Sequence, residues 1–208
     1  MRLFVYVVVF DGGFAPNPFH GYCTLATCKP RIRRGAEVGD WVIGLGSVRN
    51  DQAGKLVYAM KVEEAMSFDD YWNDPRFRYK KPKRTGRQKS QCGDNIYHSD
   101  LESGSWIQAP SYHSNENGST HFGHLTHDTN PPRTLISRQF VYYGKSAIDV
   151  PNHILFYDKP DRFNGIRGHR CNFPPTLEKA MVEWLEGLTR SPGVHGTPTN
   201  WNPDASSC

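Results

Sequence analysis

The run Leu3-Phe-Val-Tyr-Val-Val-Val-Phe10 constrains this chain more than any other stretch. It is apolar on both faces of a pleat and is followed at once by Asp11-Gly12-Gly13. A segment of this length and pattern reads as a strand buried on both sides, central in a sheet. It is too short to span a bilayer, which takes roughly 20 apolar residues, and too poorly flanked for a signal peptide. No other stretch is longer, so the expectation is a soluble protein, with no membrane partner. The five cysteines are an odd number without an export signal, which points to reduced thiols and a cytoplasmic location. Cys23 and Cys28 lack a second close pair to complete a zinc site and read as buried or incidental thiols.

After the first strand, Asp11 to Tyr22 is dense in Gly, Pro and aromatics, and Pro16 and Pro18 deny it regular backbone bonding. It reads as a pocket wall or as an ordinary long connection. Val38-Gly-Asp-Trp-Val-Ile-Gly-Leu-Gly46 gives a turn and a buried strand, and Lys55-Leu-Val-Tyr-Ala-Met-Lys-Val62 gives its antiparallel partner. Ser67 predicts an N-cap for a short helix from Phe68 to Trp72. The middle, 74–132, reads as almost all loop, with strand candidates at Asn95–His98, Trp106–Gln108 and then Leu135–Tyr143. Leu177, Met181, Trp184, Leu185 and Leu188 fall on one face of a terminal amphipathic helix.

Strands dominate this order and no βαβ alternation occurs, which argues against a Rossmann fold or a P-loop. With 208 residues, the expected architecture is a single α+β domain over 1–190, built on a small mixed β-barrel. A long loop-rich insertion and the C-terminal amphipathic helix complete it, and 191–208 is expected to be a flexible tail.

Charge is distributed unevenly. Between Arg76 and Lys89 lie eight basic residues and no acidic one, whereas the other 17 of the 25 basic residues face 21 acidic ones. Phe77 and Tyr79 interleave this run, which reads either as a solvated loop or as a phosphate-contacting one. A second basic cluster is Lys29-Pro-Arg-Ile-Arg-Arg34. Lys29, Arg31, Arg33 and Arg34 are expected to form a fixed phosphate clamp, and the 76–89 run, with Lys80, Lys81, Lys83 and Arg84, a mobile auxiliary.

Five of the nine histidines fall between His98 and His127. The spacing His121-x-x-His124-x-x-His127 invites a metal, but three-residue steps share a face only in a tight 3-10 turn, so these read as loop histidines and no metal is assigned. His98-Ser-Asp100, with His153 as a distal ligand, resembles an iron(II) motif. A strand-end histidine bonded to a carboxylate is the favoured reading. Asn95, Gln108 and His113 are able to read a base edge, and Tyr22, Tyr97, Trp106 and Tyr112 provide rings that stack. Together they suit a flipped-base or nucleotide pocket. Asp94, His98, Asp100 and His113 are the candidate acid–base groups.

Phe14-Ala-Pro-Asn-Pro-Phe-His-Gly-Tyr-Cys-Thr-Leu-Ala-Thr-Cys-Lys-Pro-Arg-Ile-Arg-Arg34 and Val38–Gly44 resemble the nucleotide modification associated domain two family. Phe68–Phe77, Gly93–His98 and the Trp106/Gln108/His113-Ser114 segment match it too, so the resemblance runs over 1–190. It implies a prokaryotic or phage setting of nucleic-acid base modification or defence and assigns no reaction. The expected partners are DNA or RNA with modified bases, or a modified nucleotide; a non-catalytic accessory subunit that binds a base-modification enzyme is the alternative. The cofactor is left unknown. The Gly-Asp strand pair is also similar to PUA-like domains of the EVE, ASCH and YTH group.

Overall fold

The computed structural model describes residues 1–157 and 166–201. In chain order the elements are β1 (Leu3–Val8), β2 (Cys23–Leu25), α1 (Pro30–Gly35), β3 (Trp41–Gly46), β4 (Lys55–Lys61), β5 (Glu64–Ser67), α2 (Phe68–Asn73), α3 (Gln88–Gln91), β6 (Tyr97–Ser99) and β7 (Trp106–Gln108). Then come α4 (Phe122–Asp128), β8 (Arg133–Ser137), β9 (Phe140–Tyr142), β10 (Ile148–Asp149), α5 (Asn152–Leu155), β11 (His169–Arg170), α6 (Pro175–Leu188) and β12 (Gly193–Val194). The chain divides into two compact units. One comprises Met1–Asp11, Ala36–Glu63 and Ser137–Asn200; the other comprises Gly12–Gly35, Glu64–Ile136 and the stretch from Trp201.

The first unit is a mixed sheet in the order β11-β1-β3-β4-β9-β12, with β10 added to β4. As its apolar pattern demands, β1 is interior, antiparallel to β11 and parallel to β3 from Leu3↔Trp41 to Val8↔Gly46. The strand ends at Val8, and Val9 and Phe10 are exposed. The expected hairpin of β3 and β4 forms, with an irregularity at Gly44/Leu45. A Cβ on Gly44 would come within 2.4 Å of the Tyr58 ring, so only glycine lets these strands pack as they do. Leu3, Val5, Trp41, Ile43 and Leu45 bury one sheet face in a core with Leu177, Met181 and Leu185 of α6, the residues whose helical spacing marked that helix. On another part of the sheet, the Tyr6 and Tyr58 hydroxyls meet at 2.9 Å, and the Tyr142 hydroxyl donates to Asp11 at 2.5 Å.

The expected closed barrel does not form. Closure requires each strand to have a partner on both sides, and the path stops at β11 and β12, strands of two residues each that lie at its opposite ends. The stretch read as a flexible tail begins with β12, which pairs in parallel with β9, and the His195 N–H donates to Tyr142 O at 2.8 Å. Residues 202–208 lie outside the described residues.

The second unit holds a three-stranded sheet, β2-β8-β5, and the β6-β7 hairpin. Its core is aromatic: Phe14, Phe19, Phe68, Tyr71, Phe77 and Tyr97 pack with Ile96 and Ile136. The Ser67 side chain accepts from the Asp70 N–H and caps α2 as expected. Leu135–Tyr143 divides into β8 and β9 because the Glu63 carboxylate accepts the N–H groups of Arg138 and Gln139 at the corner between them. A helix also precedes residue 67: α1 opens on Pro30 inside the basic cluster. The 76–89 run is not the loose loop expected from its composition. Pro75–Lys80 is a 3-10 helix, and beyond it the backbone is closed by Lys83 N–H to Ser90 O (2.8 Å) and Gly86 N–H to Lys83 O (3.1 Å). Among the described residues no helix is long and apolar enough to cross a membrane.

Candidate active site

Cys28 stands in the short connection from β2 to α1, with Cys28 at φ 56° and Lys29 at φ 43°. Non-glycine residues resist that left-handed region, and it is held where surroundings over-determine it. Here the surroundings are Arg33 and Asp128. Arg33, fully buried, donates from Nε to Cys28 O (2.8 Å), from Nη1 to Pro131 O (2.6 Å) and Arg133 O (2.9 Å), and from Nη2 to Asp128 O (2.7 Å). The Asp128 carboxylate accepts the Cys28 backbone N–H at 2.8 Å. Two residues distant in sequence thereby fix the backbone that presents the thiol.

Asp128 is the last residue of α4 and has no exposed surface. Its Oδ2 meets His113 Nδ1 at 2.7 Å and accepts from the Tyr97 hydroxyl at 3.0 Å, and its Oδ1 meets His127 Nδ1 at 3.1 Å. Burial would raise its pKa, but the bonds and charge of His113, the Cys28 N–H and His127 outweigh burial and hold it below the usual carboxylate value. An ionised Asp128 assigns the proton of His113 to Nδ1 and turns Nε2 toward Cys28, whose Sγ lies 3.5 Å away. Burial works against the charged imidazole, yet the hydrogen bonds and charges of Asp128 and Cys28 raise the His113 pKa to about 9. Phe14, edge-on at 4.7 Å between centroids, and His124, stacked at 4.2 Å, pack against the ring. Gln108 locks the backbone of this loop, donating to His113 O (3.2 Å) and to the Tyr97 hydroxyl (3.1 Å) while accepting the His121 N–H (2.8 Å).

Thiol, imidazole and carboxylate in this order form a nucleophile, its base and the group that orients the base. The same three side chains offer one sulfur, one nitrogen and one oxygen within 4.8 Å of one another, the only such cluster among the described residues able to hold a metal ion. Asp128 already accepts four donors, however, so a metal would find two free protein ligands, Cys28 and His113, short of the three or four typical of zinc sites. His121, His124 and His127 do not gather into such a cluster: His121 Nδ1 accepts the His124 N–H, and His127 turns to Asp128.

Of the residues singled out from sequence, Tyr97, Gln108, His113 and Arg33 converge here. Tyr97 and Arg33 are buried and hydrogen-bonded, so they hold the site together rather than offering a stacking face or a free guanidinium. Asp94 and Lys80 lie in a different buried network. The Lys80 ammonium donates to Asn17 O and Oδ1, Tyr22 O and Thr24 Oγ1 at 2.7–3.1 Å, and Asp94 accepts from the Thr24 and Tyr71 hydroxyls at 2.7 and 2.8 Å. Burial lowers the Lys80 pKa to about 8 against the pull of Asp94, and burial raises that of Asp94. Lys80 is thus committed inside the unit and is not a surface phosphate contact. Asn95 donates to Tyr71 O, and the Tyr22 ring packs edge-on against Phe77.

His98 and Asp100 share a groove of about 590 Å³ with Asp69 and Trp72. The His98 ring stacks on Trp72 at 4.2 Å, Lys81 Nζ lies 3.7 Å from the same ring, and Asp100 caps its own turn through Ser103. Because side chains alternate along a strand, Tyr97 and His98 of β6 serve opposite faces. Trp106 packs edge-on against Phe68. Arg31, Arg34, Lys83 and Arg84 are exposed and Lys29 is half-buried. Cys28 and Asp128, which sequence reasoning left aside, complete the site; the signal for them was a thiol just before a helix-opening proline and a histidine-aspartate pair at 127–128.

The family model described as nucleotide modification associated domain 2 matches residues 1–205. No curated protein and no solved structure matches the chain.

Proposed function

The chain belongs to the nucleotide modification associated domain 2 family, and on that premise we propose that it processes a nucleotide or a nucleic-acid base in a modification system by covalent catalysis at Cys28. The observation that carries this reading is the relay from Cys28 Sγ through His113 to Asp128, at 3.5 and 2.7 Å, inside one compact unit. The Cys28 proton leaves to solvent beside the His113 cation, and the thiolate forms a bond to an electrophilic carbon of the base or of the group it carries. The bond from that carbon to its leaving group breaks with its electron pair, and His113 gives its own Nε2 proton to the departing atom. Water, deprotonated by the same imidazole, then releases the carbon from sulfur. Asp128 keeps the imidazole in the reactive tautomer and stabilises its cation. The buried, hydrogen-bonded Tyr97 favours catalysis over a reader module, since a stacking platform needs an open ring face.

The test is mass spectrometry of nucleosides and of the Cys28 peptide after incubation with nucleotides, DNA and RNA carrying modified bases. A product or a Cys28 adduct that disappears in Cys28→Ser is expected. Turnover that survives Cys28→Ser, or tight binding with an unchanged nucleoside profile, refutes the reading.

A further inference from the structure

A second cavity adjoins this site in the chain. Pro82, Arg84, Gln91, Pro110, Ser111 and Tyr112 line a space of about 260 Å³. Tyr112 precedes His113, and Phe14 touches both rings, at 5.7 Å for Tyr112 and 4.7 Å for His113. The cavity wall and the proposed general base therefore share a backbone and a packing partner.

We propose that this cavity is the subsite for one nucleoside phosphate unit, with Arg84 on the phosphate and Tyr112 against the base; this rests on the covalent-catalysis reading above. At about 260 Å³ the space falls just below the usual range of ligand cavities, which begins at ~300 Å³, so it suits at most one nucleotide unit and not a duplex groove. Arg84 is exposed yet fixed: Nη2 donates to Glu116 O at 3.0 Å, and a Cβ on Gly118 would come within 2.2 Å of Nη1. Glycine at 118, with φ +84°, makes the seat for the guanidinium. A fork positioned beforehand loses little freedom on meeting a phosphate, and its planar donors match phosphate oxygens. Gln91 is held by its own Nε2, which donates to Gly86 O at 2.6 Å, leaving its carbonyl oxygen as an acceptor for a base edge. Pro82 and Pro110 add flat apolar walls beside the Tyr112 ring, which is part-exposed and so open to stacking. One nucleotide unit arrives either free or flipped from a strand, and both present the same phosphate and base to these groups.

The experiment is alkylation of Cys28 by iodoacetamide, read by peptide mass spectrometry, with and without each of the four 2′-deoxynucleoside 5′-monophosphates or a short single-stranded oligonucleotide. Rates are compared as protection ratios within each variant. At least one probe is expected to slow alkylation tenfold or more. Arg84→Ala and Tyr112→Ala are each expected to raise the concentration needed for protection at least tenfold, with Arg84→Lys intermediate and Lys179→Ala, in the other compact unit, unchanged. Protection by free monophosphates assigns a free nucleotide; protection by the oligonucleotide alone assigns a flipped one. Absence of protection by every probe, or protection indifferent to Arg84 and Tyr112, overturns the subsite, and fast His113-dependent alkylation in that case leaves the covalent reading standing. Protection that follows Arg84 while alkylation ignores His113 upholds the subsite and refutes the covalent reading instead.

Discussion

Replacing Asp128 by Asn keeps the size of a side chain that has no exposed surface and removes its charge. In the wild type the His113 pKa stands at about 9 against an ordinary 6.5: burial pulls it down, and the hydrogen bond to Asp128 leads the influences that outweigh burial. Such a rise corresponds to about 3 kcal/mol of preferential proton binding by the folded state. The folded pKa is raised, so this stabilisation is complete below about pH 6.5 and is lost as pH climbs through about 9. Lys80 acts with the opposite sign: its folded pKa is lowered to about 8, so stability recovers as pH rises beyond that value. The clean window is therefore pH 6.5 to 8, over which the wild type is expected to lose about 2 kcal/mol. The assay is urea unfolding at half-unit pH steps, with the wild-type curve minus that of Asp128→Asn isolating His113 because Lys80 is common to both. Asp128→Asn is expected to be less stable at pH 6.5 by about 3–5 kcal/mol, as when one partner of a buried pair is removed, and nearly flat across the window. A wild type that is flat between pH 6.5 and 8, or a variant with the same slope, would refute the coupling of His113 to Asp128.

Three further outcomes rest on the same geometry. Cys28→Ser is expected to fold with a Tm within about 2 °C of the wild type, checked by calorimetry, while losing on the order of 10³-fold or more in turnover. Lys80→Met leaves Asp94 buried without its cation and is expected to cost about 3–5 kcal/mol in urea unfolding, most of it recovered in the double variant Lys80→Met/Asp94→Asn. Arg33→Lys removes the fork that joins the Cys28, Asp128, Pro131 and Arg133 carbonyls; a loss of about 3 kcal/mol is expected, with Cys28 alkylation slowed several-fold.

Where the chain obeys local rules, its structure was readable in advance. The two-faced apolar run of β1, the β3–β4 hairpin, the Ser67 cap and the apolar stripe of α6 each carry their signal in one short contiguous stretch. Leu135–Tyr143 misled because nothing local distinguishes a continuous strand from two strands divided by Glu63, a residue more than seventy positions earlier. Charge misled in a related way. Arg33 and Lys80 sit in basic clusters that look solvated, but each finds several oxygens from distant segments, and burial comes from that satisfaction rather than from composition. The candidate site was half visible: Tyr97, Gln108 and His113 were singled out, whereas Cys28 and Asp128 meet across 100 positions of sequence, which no spacing rule spans.

Each compact unit is stitched from three separated stretches, so the chain passes from one to the other five times. No single cut releases either unit as an uninterrupted polypeptide. Truncation, the usual way to shorten a protein for study, is therefore expected to yield fragments that lack a strand or a wall of both cores. Folding must also await contacts between residues far apart in sequence, which slows it relative to chains built from local pairings. For evolution the same stitching means that the thiol-bearing connection and the sheet that begins the chain are inherited together, and neither is open to exchange as a module.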